Sequence, residues 1–335
     1  MSLMLPDRRL VLAGLAASPF GAAPALAQKK PKVAALFAGR IDDAGFMQAG
    51  YSGLAEAQKQ FGVEVAFKQG VAPKPDYLAA ALRELAAAGP DLVVAHGGQN
   101  NAAAQKVAAE FPKIPFVVTQ GNVTAANLAS YEVLQEQSAF LAGMLAGLTT
   151  KTGVVGHMSG IRVVPGLKGR AGYAHGVAHA NAKAKLLTNF SGNQDDNPLS
   201  EKVAKAMIAA GADIIFTMLN AGRQGAIDAC RAGGAKQIGN VGDWTKTVPD
   251  VFVASAFADS GRAFFAAVSE FTQGKLATGH VRHIGLEDPV AIRLTLAPSV
   301  PADIRTKLDA AAAEIKAGKL VVPVEWSGTE FATPA

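Results

Sequence analysis

Asp42, Asp43 and Phe46 stand together in the stretch GRIDDAGFMQAG, residues 39–50, between a short apolar run and a segment patterned as a helix. Two carboxylates and an aromatic ring can serve there as an acid–base pair, as helix caps or as ligand contacts. Adjacent residues usually point apart, and no nucleophile accompanies them, which argues against a catalytic pair. A carboxylate just before a helix accepts otherwise orphaned backbone N–H groups and suits the helix dipole, so one of the two acids is expected to cap. Phe46 offers a flat apolar face, either to pack the loop onto its own domain or to stack on a planar ligand.

Other polar residues with chemical potential follow short apolar runs in the same way. They are His96-Gly97-Gly98, Gln120, His157, the segment 189–196 with Gln194, Asn220, and Asp243-Trp244. Glycines after His96 let backbone approach a ligand closely, and His96 either donates to that ligand or ties the loop together. Trp244 is a second stacking face or a rim residue. Several chemistries are excluded. Gly166, Gly169 and Gly172 do not make a dinucleotide fingerprint, and there is no phosphate loop and no Gly-x-Ser-x-Gly elbow. His175 with His179, and His280 with His283, lack a nearby acid completing a metal pattern, so they read as surface or structural residues. The single cysteine, Cys230, cannot form an intrachain disulfide and reads as a small helix-packing residue. No cofactor or metal is expected.

The elements that must position these residues alternate. Short β-branched runs such as KVAALFA, DLVVAHG, PFVVTQG and ADIIFTML are separated by alanine-rich helical patterns such as PDYLAAALRELAAAG and SEKVAKAMIAAG. Strands buried on both faces and each followed by a helix imply parallel sheets with right-handed crossovers. The series runs twice, the second beginning at Val154, so the fold class is α/β with two doubly wound parallel-sheet lobes joined by a hinge. The expected boundaries are 28–135 with 256–285 for the N-terminal lobe and 136–255 with 286–335 for the C-terminal lobe. In such sheets ligands bind outside the carboxyl ends of the strands, where the polar residues above all fall. Two lobes facing one cleft would gather them around a small molecule, and hinge closure would seal it.

Residues 1–27 carry Arg8-Arg9, an apolar stretch too short to span a bilayer and the small-residue pattern Ala25-Leu26-Ala27, which reads as a secretory signal peptide cleaved before Gln28. The paired arginines also raise twin-arginine export. No cysteine lies near that site to carry a lipid, so the expectation is a periplasmic protein that is not a lipoprotein. The rest of the chain holds a small, dispersed excess of basic residues without interleaved aromatics, which argues against a nucleic-acid partner.

The stretch EVLQEQSAFLAGMLAGLTTKTGVVGHMSG, with GLKGRAGYAHGVAHANAKAKLL, GADIIFTMLN and IGNVGD, resembles the basic-membrane-protein family of substrate-binding proteins, the type that includes purine-nucleoside receptors of ABC importers. The resemblance covers nearly the whole chain after residue 27. It implies a type I periplasmic-binding-protein fold, no enzymatic activity, an ABC permease as partner and a monomeric receptor. The family's first-loop motif Asp-x-x-Phe-Asn-Gln stands here as Asp43, Phe46, Met47 and Gln48, with Met47 in place of Asn. The resemblance implies that Phe46 stacks on the ligand base and that Asp243 holds the ribose side, with Trp244 beside it; His96, Gly97 and Asn220 join the expected site from their strand-end positions. Gln120 replaces an expected Asp, the second aromatic expected after LLTNF is replaced near Gln194, and the lysine expected after VASAF is absent, Ala258 being nearest. Those departures put a nucleobase on a level with a nucleoside. The alternatives are a receptor for another small polar ligand, an amino acid or sugar, and an exported nucleoside-processing enzyme using Asp43 or Asp243.

Overall fold

The computed structural model describes residues 30–42 and 45–334. Parallel β-structure builds first. β1 (Lys32–Phe37), α1 (Phe46–Phe61), β2 (Glu64–Lys68), α2 (Pro75–Ala87), β3 (Leu92–His96), α3 (Asn101–Glu110), β4 (Phe116–Thr119) and β5 (Leu128–Val133) alternate, with a single 3-10 turn at Gly98–Asn100. The second series is α4 (Gln135–Thr149), β6 (Val154–Ser159), α5 (Val164–Ala180), β7 (Lys185–Phe190), α6 (Asn197–Ala209), β8 (Ile214–Met218), α7 (Arg223–Gly233), β9 (Lys236–Asn240), α8 (Trp244–Thr247) and β10 (Phe252–Ala258). α9 (Ser260–Thr272), β11 (Val281–Ile284), β12 (Ile292–Leu296) and α10 (Ala302–Lys316) follow.

Two six-stranded sheets result, in the orders β11-β5-β4-β3-β1-β2 and β12-β10-β9-β8-β6-β7. Each forms one lobe. All pairings are parallel except β12, which runs antiparallel to β10. Every residue of β3, β4 and β5 is buried, as expected of strands covered by helices on both faces. The chain passes between lobes three times: after β5, after β10 and after β11. The second passage leaves the sheet only after Ala258, three residues beyond the boundary at 255/256 expected from the sequence, because β10 continues pairing with β12 up to the Ala258–Ile292 pair.

The Leu-Ala-Gly stretch has a packing explanation. α4 is buried nearly all round because it lies against α5, α10 and β10. The α4–α5 crossing is made close by glycine. A Cβ at Gly143 would overlap the carbonyl oxygen of Tyr173, one at Gly172 that of Glu136, and one at Gly176 that of Phe140. α9 joins the first lobe by the same device, Gly53 lying on the carbonyl of Gly261 and Gly261 on that of Ala49. The segment after α10 has no regular structure and lies along the edge strand β7. Phe331 N–H donates to the Thr188 carbonyl at 2.7 Å, and Asn189 Nδ2 donates to the Phe331 carbonyl at 2.8 Å, so the edge is covered rather than left as a template for aggregation. No helix of the described residues is long and apolar enough to cross a membrane.

Gly176→Ala forces the α4–α5 crossing apart and is expected to destabilise the protein by about 1–3 kcal/mol, the usual cost of overpacking. Urea unfolding measures it; an unchanged midpoint would contradict the close crossing.

Candidate ligand-binding site

The site is assembled from one helix face. Phe46 and Gly50, four residues apart, lie on the same side of α1, directly over the side chain of His96 at the end of β3. The Phe46 and His96 rings stack with centroids 4.4 Å apart and planes at 26°. A Cβ on Gly50 would lie 2.5 Å from His96 ring atoms, so glycine at that position is what lets the imidazole fit beneath the helix. His96 Nε2 lies 2.9 Å from the Phe46 carbonyl and Nδ1 lies 2.7 Å from Thr119 Oγ1. A carbonyl only accepts, so Nε2 carries the proton and bare Nδ1 accepts from the threonine hydroxyl. Burial drives the His96 pKa down to about 4, the hydrogen bond to the Phe46 carbonyl opposing it only in part.

Above this stack the two lobes face each other across a slot of about 660 Å³, open mouth included. Its apolar walls include Ala38, Phe46, Met47, Ile161, Val163 and Met218, and its polar groups are Gln99, Gln135, Ser159, Gln194, Asn220 and Asn240. The described lining of this slot contains no charged side chain. Nearly all of these residues sit at or just beyond the carboxyl ends of β1, β3, β5, β6, β8 and β9, where open parallel sheets place their ligands. The lobes meet at Asn220. Its Oδ1 accepts the Phe46 backbone N–H at 3.3 Å, and a Cβ on Gly45 would collide with the same amide. Val241, also on the wall, holds φ at 63°; a β-branched residue in the left-handed region is strained and is concentrated at functional sites.

The chain between the lobes carries buried charge behind the slot. Glu132, next to last in β5, is ion-paired with Lys168 of α5 and faces His283 of β11 at 3.4 Å. Burial, with the Glu132 charge adding to it, raises the Glu136 carboxyl to about 7.

The candidates read from the sequence divide. Phe46, Met47, Gln194 and Asn220 line the slot. Asp43 lies outside the described residues. Five others are occupied elsewhere. His96 spends both ring nitrogens within the protein and supports Phe46 from below. Gly97, with φ at 103°, makes the turn after β3, its N–H bonded to the Thr119 carbonyl. Gln120 folds its amide onto Val133, accepting from the backbone N–H at 2.6 Å and donating to the carbonyl at 3.1 Å, which ties the ends of β4 and β5. Asp243 caps α8, accepting from Thr245 N–H and Oγ1 and from Thr295 Oγ1; burial works against its charge, but these hydrogen bonds prevail and hold its carboxyl below the usual range. Trp244 lies on its own lobe, its indole N–H donating to the Asn240 carbonyl at 3.0 Å and its face covered by the Arg223 guanidinium at 4.3 Å. Asp42 is not the helix cap; it pairs with Arg40 at 2.9 Å on the surface, and that hydrogen bond lowers its pKa. Gln99, Gln135, Ser159 and Asn240 were not singled out beforehand. Their signal was position alone, at or just past a strand end.

A model of the family described as "ABC transporter substrate-binding protein PnrA-like" matches residues 30–325. The chain belongs to this family. Among similar proteins, the Transcriptional activator protein med of Bacillus subtilis is 25% identical over 89% of this chain and 91% of its own. Basic membrane protein A1 of Borrelia garinii is 26% identical over 88% of each. A protein of Brucella abortus named as purine-binding is 23% identical over 93% of this chain and 88% of its own. An ABC transporter solute-binding protein from Aeropyrum pernix superposes with a TM-score of 0.77 over 88% of this chain and 94% of its own, at 19% identity, which shows the shared two-lobed fold.

The neutral state of His96 sets a pH signature. A histidine held below its ordinary pKa contributes stability that is lost as the pH falls from about 6.5 towards 4. The buried Glu136, raised to about 7, acts in the opposite sense between about 4.5 and 7. The contribution of His96 is therefore isolated by difference: His96→Gln is expected to flatten the loss of melting temperature on acidification relative to wild type. Identical slopes in calorimetry would contradict a neutral His96.

Proposed function

We propose that this chain is the extracytoplasmic receptor of an ABC importer and that it closes its lobes on a nucleobase or nucleoside, with a purine favoured. The observation that carries the reading is the half-buried ring of Phe46, backed by His96, forming one wall of a slot whose described lining holds no charged side chain and whose polar groups are mostly carboxamides. An aromatic face suits a flat heterocycle, and a carboxamide, with one acceptor and two donors, matches the mixed edge of a base. The purine-binding relative in Brucella abortus supports the same class. Phe46, Met47, Gln194 and Asn220 are assigned to contact, joined by Gln99, Gln135, Ser159 and Asn240. The receptor is a monomer that presents its closed form to an inner-membrane permease and works in the periplasm.

An amino acid would bring a carboxylate and an ammonium into a slot with no charged side chain among its described lining residues, and buried charge without a partner is expensive. The enzyme alternative loses Asp243, whose oxygens are engaged by Thr245, Thr295 and Lys246.

A thermal-shift screen of purine and pyrimidine bases against their nucleosides tests the reading. A ligand at a hundredfold excess over Kd should add about 2.7 kcal/mol of stability. Stabilisation by amino acids or sugars alone would sink it. Phe46→Ala should weaken base binding about tenfold or more, from lost stacking and lost burial; unchanged affinity in calorimetric titration would remove Phe46 from the site.

A further inference from the structure

We infer that Gln135 is a ligand-selecting residue: its side-chain amide N–H2 group, held at the crossing between the lobes, takes up an uncharged hydrogen-bond acceptor on the ligand, a ring nitrogen or ring carbonyl oxygen. The inference rests on the reading of the slot as a base site and adds to it which polarity the ligand must turn towards the hinge.

Gln135 is the first residue of α4, immediately after the chain leaves β5 for the second lobe, and it lines the slot. Its Nε2 is shut off from solvent and has no hydrogen-bond partner among the described residues. A buried amide donor without an acceptor is a standing cost to the empty protein, and such groups are uncommon in folded chains unless they have a use. Gln120, by contrast, engages both ends of its amide with Val133.

A second observation gives the same sign. Asn240, at the end of β9 in the second lobe, has its carbonyl oxygen engaged by Arg223 Nη2 at 2.8 Å, so the end of its amide left to a ligand is the donor. Donors at the hinge and at the end of β9, with no charge among the described lining residues, call for a neutral ligand rich in acceptors. Oxo-purines and oxo-pyrimidines fit; an ammonium group at that end of the slot does not.

The test uses the full protein, Gln135→Leu, and hypoxanthine, adenine and uracil as probes, with affinities from titration calorimetry and melting temperatures of the empty protein. Gln135→Met, unbranched, serves as the second variant should leucine not fit. The expected result is an affinity for the best-bound base about tenfold weaker than wild type, with the melting temperature of the empty protein unchanged or higher, because an unsatisfied donor has been removed. Affinity within twofold of wild type overturns the inference. So does a clear drop in the melting temperature of the empty protein with both variants, which shows that the amide is used inside the fold. If wild type binds none of the three bases, the base-site reading fails by itself, and the melting temperatures still decide whether Gln135 is an unpaired donor.

Discussion

The stack of Phe46 on His96 is the contact on which the candidate site depends. It requires an imidazole that is buried, neutral and fixed in one tautomer, and each condition has a visible cause: Thr119 beneath, the Phe46 carbonyl above, and the missing side chain at Gly50. Because the Phe46 carbonyl itself accepts the Nε2–H hydrogen bond, ring and backbone of the same residue are gripped together. The aromatic face is thereby held in place before any ligand arrives, and preorganisation of this kind lowers the ordering cost of binding. Across the slot Asn220 reaches the N–H of the same residue, so one residue of the first lobe also marks where the second lobe meets it.

Glycine is the second constraint, acting at the scale of the lobes. The α4–α5 and α1–α9 crossings both bring backbone onto backbone. The first carries the chain from the hinge into the second lobe, and the second returns α9 to the first. Backbone packed this closely leaves the paired helices little room to slide against each other. The ion pair of Glu132 with Lys168 spans one of those segments.

The fold was legible in the sequence because alternation between β-branched runs and alanine-rich helices has only one economical solution, and KVAALFA, DLVVAHG, PFVVTQG and ADIIFTML became β1, β3, β4 and β8. The site was legible in place but not in detail. Residues such as Gln120, Asp243 and Trp244 stand at strand ends, yet buried polar atoms must be satisfied, and the nearest partners were the scaffold itself: Val133 for Gln120, Thr245 and Thr295 for Asp243, Asn240 and Arg223 for Trp244. Which strand-end residue faces inward depends on a turn of one or two residues. Gln99 lies three positions past His96 and lines the slot, whereas Gly97 makes the turn that puts it there. Gln135 was hidden because it opens a helix whose apolar character drew attention to packing.

The most direct test is the structure of the protein crystallised with hypoxanthine. The account predicts the base lying flat on the outer face of Phe46, with ring atoms roughly 3.5–4.0 Å from it, and its acceptor edge turned towards Gln135. A base seated away from Phe46, on Trp244 or outside the slot between the lobes, would contradict it.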